Sequence, residues 1–190
     1  MRFSDIPGLE ETKSVLINAV KNNHVAHAQL FYGIAGSANL SLALAYIAYL
    51  NCESPEESDS CGRCAACIKI DKHVHPDLHY IFPKAGKQKE ADNSNVSAEL
   101  LAAWRSFMVD KPYGSLQEWA EESDMGSKQL SISKDDSKHI IKTVSMKAFE
   151  AKYKVILIWM PELMNIASAN TILKVLEEPP GKNAVPARIQ

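Results

Sequence analysis

The sequence predicts an α/β fold in which a parallel sheet is flanked by helices. Short apolar segments of strand length alternate along the 190 residues with longer segments that have helical spacing. Such alternation is typical of parallel sheets that are covered on both faces. A turn that contains Gly33 and Gly36 joins the first of these strands to a helix. A strand, a glycine-bearing turn and a helix form the opening unit of nucleotide-binding α/β domains.

The individual elements follow from the spacing of apolar residues. Leu9 to Asn22 has the spacing of an amphipathic helix, Ala28 to Tyr32 is a short buried strand, and Leu40 to Leu50 is a strongly apolar helix. The last helix is expected to stop at Pro179-Pro180, because proline cannot continue a helix. The remaining elements are predicted as strands at Leu78 to Phe82, Ser131 to Ser133 and Val155 to Trp159, and as helices at Ser97 to Val109, Lys134 to Ser145 and Ser168 to Glu177.

Residues 1–190 are expected to form one domain with two additions. Residues 51–76 hold all four cysteines and are interpreted as a separate module. The composition becomes polar and charged over residues 84–128, which we interpret as a partly helical insertion.

The insertion carries aromatic and basic residues whose roles can be predicted. Trp104, Phe107 and Trp119 are expected to form a small local core rather than a partner-binding patch. Three lysines at its start are expected to lie in a solvated loop rather than against DNA phosphates. They are Lys84, Lys87 and Lys89.

Charge and hydropathy exclude two classes of protein. A formal net charge of −2 argues against a generally basic surface that holds nucleic acid by counterion release. Met1 to Lys13 lacks the apolar region of a secretory signal, and the longest apolar run, Leu42 to Leu50, is too short to cross a bilayer. The sequence therefore predicts a cytoplasmic protein that makes no membrane contact.

All four cysteines, Cys52, Cys61, Cys64 and Cys67, lie in one segment. Clustered thiols in a reducing compartment indicate a metal site rather than disulfides. Two residues between successive ligands let the sulfurs turn back onto one Zn2+, and Gly62 suits the tight turn that this needs. Four thiolates leave no position for water, so a zinc ion here is predicted to have a structural role. An iron–sulfur cluster and a set of free thiols are the alternatives.

A vestigial phosphate loop occupies the turn after the first strand. A working loop reads G-x-x-x-x-G-K-[ST]: backbone amides hold the phosphates, the lysine reaches the β- and γ-phosphates, and the hydroxyl residue binds Mg2+. Here Ala38, Asn39 and Leu40 replace the last glycine, the lysine and the hydroxyl residue. ATP is therefore expected to be absent or bound without hydrolysis. The residues that form this candidate nucleotide site are Gly33, Gly36, Ser37, Ala38, Asn39 and Leu40.

The second motif that ATP hydrolysis needs is also altered. A Walker B strand ends in carboxylates that hold Mg2+ and orient the attacking water. The corresponding strand here ends in Trp159 and Met160, and Glu162 comes two positions too late. Catalytic residues are therefore not expected in this chain.

Several other side chains have plain structural interpretations. His27 is expected to be a hydrogen-bonded core or capping residue rather than a ligand. His73 and His75 are expected to be bystanders of the cysteine site, since four thiolates complete its coordination. Glu177 and Glu178 are interpreted as solvated charges or a subunit contact, because adjacent helical residues point in different directions.

Five segments together resemble a known family. They are His27-Ala-Gln-Leu-Phe-Tyr-Gly33, the four-cysteine loop, His75-Pro-Asp77, Tyr153-Lys-Val155 and Ala169-Asn-Thr-Ile-Leu-Lys-Val-Leu-Glu-Glu-Pro-Pro180. In this order they resemble the AAA+ clamp-loader subunits of bacterial DNA polymerase III, over most of the chain except residues 84–128. The resemblance implies a P-loop NTPase-like AAA+ domain that carries an inserted zinc module.

The resemblance also implies a function and partners. Within the family, γ/τ-type subunits keep the phosphate-loop lysine and the acidic Walker B pair, whereas the delta-prime type lacks them. Asn39, Trp159 and Met160 make this sequence similar to the delta-prime type. That type is a non-hydrolysing stator, with γ/τ and delta subunits as partners and contact to the sliding clamp and primed DNA through the complex. A γ/τ-type ATPase and a free-standing zinc-bearing binding module are the alternatives.

A trans-acting arginine is a further property that the resemblance implies. In the family this arginine acts on ATP bound by a neighbouring subunit, and it follows another strand and loop after the Pro-Pro pair. The sequence ends at Gln190, so no room is expected for that strand, and Arg188 is not expected to take the role. The sequence thus resembles an N-terminal part of a clamp-loader subunit, truncated at its C-terminal end.

Overall fold

The sheet at the centre of the fold is parallel. The computed structural model describes residues 1–34, 36–86, 96–126, 128–177 and 184–189. Within these ranges the strands are β1 Gln29–Phe31, β2 Leu78–Ile81, β3 Lys84–Ala85, β4 Leu130–Ser131, β5 Lys154–Trp159 and β6 Ala184–Ile189. Four strands form the parallel sheet in the order β1–β6–β5–β2, while β3 and β4 pair antiparallel. The predicted α/β class is confirmed.

Seven α-helices lie within the described ranges. They are α1 Glu10–Lys21, α2 Asn39–Leu50, α3 Ala65–Asp71, α4 Ala98–Asp110, α5 Leu116–Glu122, α6 Lys134–Ser145 and α7 Ile166–Glu177. The five helices predicted from the sequence are all present, and the largest shift is the start of α7 at Ile166 instead of Ser168. Helices α3 and α5 have only 7 residues each, too few for a helical period to stand out. None of the helices in these ranges has the length and apolar character needed to span a bilayer.

Strand β5 separates two hydrophobic clusters. All of its side chains are buried, and successive residues of a strand point to opposite faces of the sheet. Val155, Leu157 and Trp159 face a large cluster that includes α2, whereas Ile156 and Ile158 face a smaller cluster with residues of α6 and α7. Helices therefore cover both faces of the sheet.

The sequence-based expectation that no strand fits after the Pro-Pro pair is wrong. Residues Ala184–Ile189 form β6, which pairs with β1 on one side and with β5 on the other. The expectation underestimated the room after Pro180, because the six residues of β6 are enough to pair with both neighbouring strands. Arg188 lies within this strand, in register with Leu30 and Ile158, rather than in a loop after it.

The expectation of a separate small core in the insertion is also wrong. Trp104, Phe107 and Trp119 are each 0% exposed and belong to the large cluster. The Trp104 ring stacks on Phe82 at 4.4 Å between centroids and lies 5.2 Å from the ring of Trp159. The insertion therefore packs its aromatic face directly onto the sheet and extends the main core.

Lys84 is buried rather than solvated. Its Nζ lies 2.6 Å from Oδ1 of Asp136, and both side chains are almost inaccessible to solvent. The other oxygen of Asp136 accepts hydrogen bonds from the backbone and hydroxyl of Ser133, which caps α6. The expectations for Lys87 and Lys89, and those for Glu178 and the Pro179-Pro180 stop, lie outside the described residues.

Candidate functional site

The four cysteines converge after α2, as their spacing predicts. The Sγ atoms of Cys52, Cys61, Cys64 and Cys67 all lie within 4.8 Å of one another. Four sulfurs bound about 2.3 Å from a tetrahedral Zn2+ would be separated by about 3.8 Å. The thiols therefore need only a small inward movement to fit one ion. The described residues contain no other group of three or more potential metal ligands.

Backbone amides orient these sulfurs. The N–H of Cys61 donates to Sγ of Cys52, that of Cys64 to Sγ of Cys61, and that of Cys67 to Sγ of Cys64, at 3.3, 3.4 and 3.4 Å. Such N–H···S contacts orient metal-bound thiolates in structural sites. Gly62 has a φ of +67°, which confirms the predicted tight turn.

The electrostatic environment differs among the thiols. N–H groups of Arg63 and Cys64 lower the pKa of the Cys61 thiol to about 6. Burial raises the pKa of the Cys52 and Cys67 thiols. The cluster can therefore hold one thiolate near neutral pH, and a bound cation would favour the ionised form of the others.

The start of the chain is anchored to this cysteine module. Asp59 is 6% exposed, and its carboxylate accepts N–H bonds from Phe3, Ser4 and Ser60 at 3.0, 2.9 and 2.8 Å. Arg2 donates from Nε to the Ser60 carbonyl at 2.9 Å. These contacts join the segment before α1 to the loop that carries the ligands.

The His75-Pro-Asp77 segment connects the module to the sheet. The Asp77 carboxylate accepts N–H bonds from Phe149, Glu150 and Ala151 at 2.6, 2.8 and 2.9 Å. The side chain of Glu150 in turn pairs with Lys69 of α3 at 2.6 Å. The segment is therefore a structural junction between the cysteine module, β2 and the approach to β5.

Three histidines, His27, His73 and His75, make structural contacts. His73 Nδ1 lies 2.9 Å from the Tyr80 hydroxyl, and burial lowers the pKa of His73 to about 4. His75 Nδ1 accepts the N–H of Asp77 at 3.1 Å. His27 Nε2 lies 2.8 Å from the carbonyl of Leu176 in the last turn of α7, a capping contact as expected.

The phosphate loop has a compact turn. The N–H of Ser37 donates to the carbonyl of Ile34 at 3.0 Å, and the Ser37 hydroxyl donates to Oδ1 of Asn39 at 2.8 Å. A Cβ at Gly33 would lie 2.2 Å from the Ser37 hydroxyl, so a larger residue here would displace the Ser37 side chain. The loop thus uses one backbone amide and two side chains in contacts within itself.

A cleft of about 490 Å3 adjoins this loop. Three segments line it: the loop itself, the connection from α4 to α5, and the end of β5. The lining residues are Tyr32, Gly33, Ile34, Gly36, Ser37, Asn39, Leu40, Tyr113, Gly114, Ser115, Leu116, Gln117, Trp159, Met160 and Glu162. Nothing in the sequence pattern predicts that residues 113–117 line this cleft. The one sequence feature that marks this segment is Gly114. A Cβ at this position would lie 2.4 Å from the Phe107 ring, so glycine is required there.

Strand β5, the expected counterpart of a Walker B strand, ends in apolar side chains. Trp159 is 3% exposed and packs against Trp104 and Phe107. Met160 has a left-handed backbone conformation, with φ of 54°, and turns the chain into a short 3-10 helix. Glu162 lies on that 3-10 helix, is exposed, and has no ion-pair partner in the described residues.

The parallel sheet and the glycine-bearing turn define a P-loop NTPase-like α/β domain, and the four-cysteine cluster is an addition to it. The fold resembles the crystal structure of a DNA polymerase III gamma-subunit-related protein from Thermotoga maritima, with a TM-score of 0.50 and 16% identity over 94% of this chain and 38% of that one. The family model described as "DNA polymerase III, delta subunit" matches residues 8–185, and the chain belongs to that family.

Individual relatives include two types of DNA polymerase III subunit. The chain is 28% identical to subunit delta' of Pseudomonas aeruginosa over 82% of its own length and 35% of the relative's. It is 26% identical to subunit tau/gamma of Haemophilus influenzae over 94% of its own length and 19% of the relative's. Subunit delta' of Escherichia coli is 22% identical, with 93% and 40% covered. The chain therefore spans well under half the length of these relatives.

Proposed function

We propose that this chain serves as a non-hydrolysing subunit, of the delta-prime type, in a DNA polymerase III clamp loader. In that role it acts as a stator while the complex places a sliding clamp on primed DNA. Family membership supports the complex as the setting. Because relatives of both the delta' and the tau/gamma type align with the chain, the choice between the two rests on the residues of its phosphate-loop cleft.

The observation that carries the choice is the apolar end of β5. Trp159 belongs to the hydrophobic core, so its position cannot present a carboxylate to Mg2+. Asn39 and Leu40 in the phosphate loop offer neither a lysine ammonium for the phosphates nor a hydroxyl for the metal. Two separate parts of the hydrolytic machinery are replaced, which supports a structural role over a γ/τ-type ATPase.

Zinc is proposed as a structural ion of residues 51–76. Cys52, Cys61, Cys64 and Cys67 would hold it, and their amide contacts already orient the sulfurs. A bound Zn2+ would cross-link the loop and would leave no coordination position for a substrate. Metal analysis of purified protein should give one zinc per chain, whereas a visible absorption band would indicate an iron–sulfur cluster instead.

The proposed partners are the tau/gamma and delta subunits, with contact to the clamp and to DNA through the complex. A free-standing zinc-bearing module is the competing function, and it predicts no affinity for those subunits. Arg188 is not proposed as a trans-acting residue, since it lies within β6.

Reconstitution of the full-length protein with its tau/gamma and delta subunits tests the proposal. We expect a stable complex on gel filtration and no Mg2+-dependent ATP turnover by the isolated full-length protein. The tau/gamma subunit is the positive control for turnover. Turnover by this protein would favour the ATPase alternative, and failure to join the complex would favour the free-standing module.

A further inference from the structure

The phosphate-loop cleft has a charge opposite to the one that a nucleotide requires. Glu162 is the sole charged side chain among its described lining residues, and no lysine, arginine or histidine is present. A nucleoside triphosphate carries several negative charges, which phosphate sites neutralise with lysine, arginine or Mg2+. An anion in this cleft would meet a carboxylate and no compensating cation, whereas a cation would meet its complement.

Two tyrosines of the cleft add a second feature that suits a cation. Tyr32 is 76% exposed and Tyr113 is 41% exposed, and both line the cleft. Neither ring has an aromatic neighbour among the described residues. Exposed aromatic faces attract cations, and a guanidinium stacks on them better than an ammonium does, since it is planar and less strongly hydrated.

Apolar side chains complete the complementarity. Ile34 is 83% exposed at the phosphate loop, and Leu116 and Met160 lie at other parts of the lining. Such a surface accommodates the methylene stem of a long basic side chain while its charged end reaches a carboxylate.

We propose that this cleft accepts an arginine side chain of another protein chain, with the guanidinium at Glu162 and against Tyr113 or Tyr32. The inference rests on the proposed function, because it assigns to the altered nucleotide site a contact with a partner protein. The connection from α4 to α5, which supplies Tyr113, is then part of that interface. The insertion thereby has a role in recognition as well as in packing.

A titration of the full-length protein tests the inference directly. The protein is labelled with 3-fluorotyrosine, and the 19F resonances of Tyr32 and Tyr113 are assigned with Tyr→Phe variants. The probes are N-acetyl-arginine amide, its uncharged analogue N-acetyl-citrulline amide, and ATP with Mg2+. We expect saturable shifts of the Tyr113 or Tyr32 resonance in the millimolar range with the arginine probe alone. An equal response to citrulline, or a response to ATP with Mg2+ in the same range, would overturn the inference.

Variants identify the carboxylate. Glu162→Gln is expected to weaken binding of the arginine probe about threefold, the effect of an exposed ion pair. Glu11→Gln is the matched control, since Glu11 is exposed on α1 and does not line the cleft. No change in affinity with Glu162→Gln would refute the assignment.

Photo-cross-linking in the reconstituted complex distinguishes a failure of this inference from a failure of the proposed function. A photoreactive residue in place of Gln117, which also lines the cleft and leaves Glu162 intact, is expected to cross-link to an arginine-containing peptide of another subunit. The complex could assemble, with no ATP turnover at this subunit, and still give cross-links within this chain alone. That result would refute the inference and leave the proposed function intact. Failure of the complex to assemble would instead count against the proposed function, while the titration would still decide whether the cleft binds arginine.

Discussion

Replacing Asp77 with asparagine is expected to release the segment that precedes β5. The Asp77 side chain is 1% exposed, and its two oxygens accept three backbone N–H bonds. One oxygen accepts from Phe149, and the other accepts from Glu150 and Ala151. Asparagine has one acceptor oxygen, and its NH2 group would face N–H groups that also donate.

The loss of stability in Asp77→Asn follows from the number of hydrogen bonds that the substitution removes. If the asparagine oxygen stays with Phe149, the bonds from Glu150 and Ala151 are lost. Hydrogen bonds to a charged group contribute about 1.5–3 kcal/mol each, so the loss of two should lower the free energy of unfolding by about 3–6 kcal/mol. For a chain of this size that loss lowers Tm by about 10 °C.

The stability that Asp77→Asn removes should be largest at neutral pH and smaller in acid. Burial raises the pKa of the Asp77 carboxyl, but the N–H bonds from Glu150, Ala151 and Phe149 outweigh burial, so the pKa lies below its ordinary value. A carboxyl with a lowered folded-state pKa contributes stability above its unfolded pKa, and that stability is lost as pH falls through the folded value. The difference between wild type and Asp77→Asn should therefore be full at neutral pH and shrink below about pH 4.

Urea unfolding followed by circular dichroism at several pH values measures this difference. Hydrogen exchange should also become faster at the amides of residues 149–151. Asp124→Asn is the matched control, because Asp124 is exposed and asparagine tolerates its left-handed backbone. A loss below about 1 kcal/mol, within the range of ordinary surface changes, would refute the reasoning. So would a difference that stays constant down to pH 3.

Three further changes should have measurable effects. Lys84→Met should cost about 3–5 kcal/mol in urea unfolding because it removes the ammonium that faces the buried Asp136 carboxylate, and adding Asp136→Asn should recover part of the loss; an additive double variant would argue against the ion pair. Trp104→Ala should cost about 3–5 kcal/mol, since the ring is completely buried, and a loss as small as that of a surface variant would contradict its place in the core. Cys61→Ser should reduce bound zinc below one equivalent by metal analysis, and unchanged zinc content would remove Cys61 from the ligand set.

Local patterns made most of the fold predictable from the sequence. Helices of twelve or thirteen residues, such as α1 and α4, show their apolar spacing clearly. The strand at Val155 to Trp159 is recognisable as an uninterrupted apolar run, which is typical of a strand buried on both faces. By contrast, β6 contains Pro186, and its pairing with two neighbours is a tertiary effect that outweighs local propensity.

The two candidate sites also differ in how far the sequence predicts them. The cysteine cluster could be predicted because its four ligands lie close together in the sequence, where spacing alone constrains the geometry. The wall of the phosphate-loop cleft at Tyr113 could not, since it is separated from the loop by more than seventy residues. The burial of Lys84 depends on Asp136, a partner that lies 52 residues further along the chain. Long-range packing of this kind leaves no periodic signal.

The positions of the tryptophans have a practical consequence for anyone who works with this protein. All three, Trp104, Trp119 and Trp159, meet in one aromatic cluster where the insertion packs on the sheet. Intrinsic fluorescence excited at the indole band therefore reports on that junction alone, and the cysteine module contributes no indole to the signal. An emission shift on heating or on ligand addition would mean that the insertion has lifted from the sheet, even when the rest of the molecule remains folded.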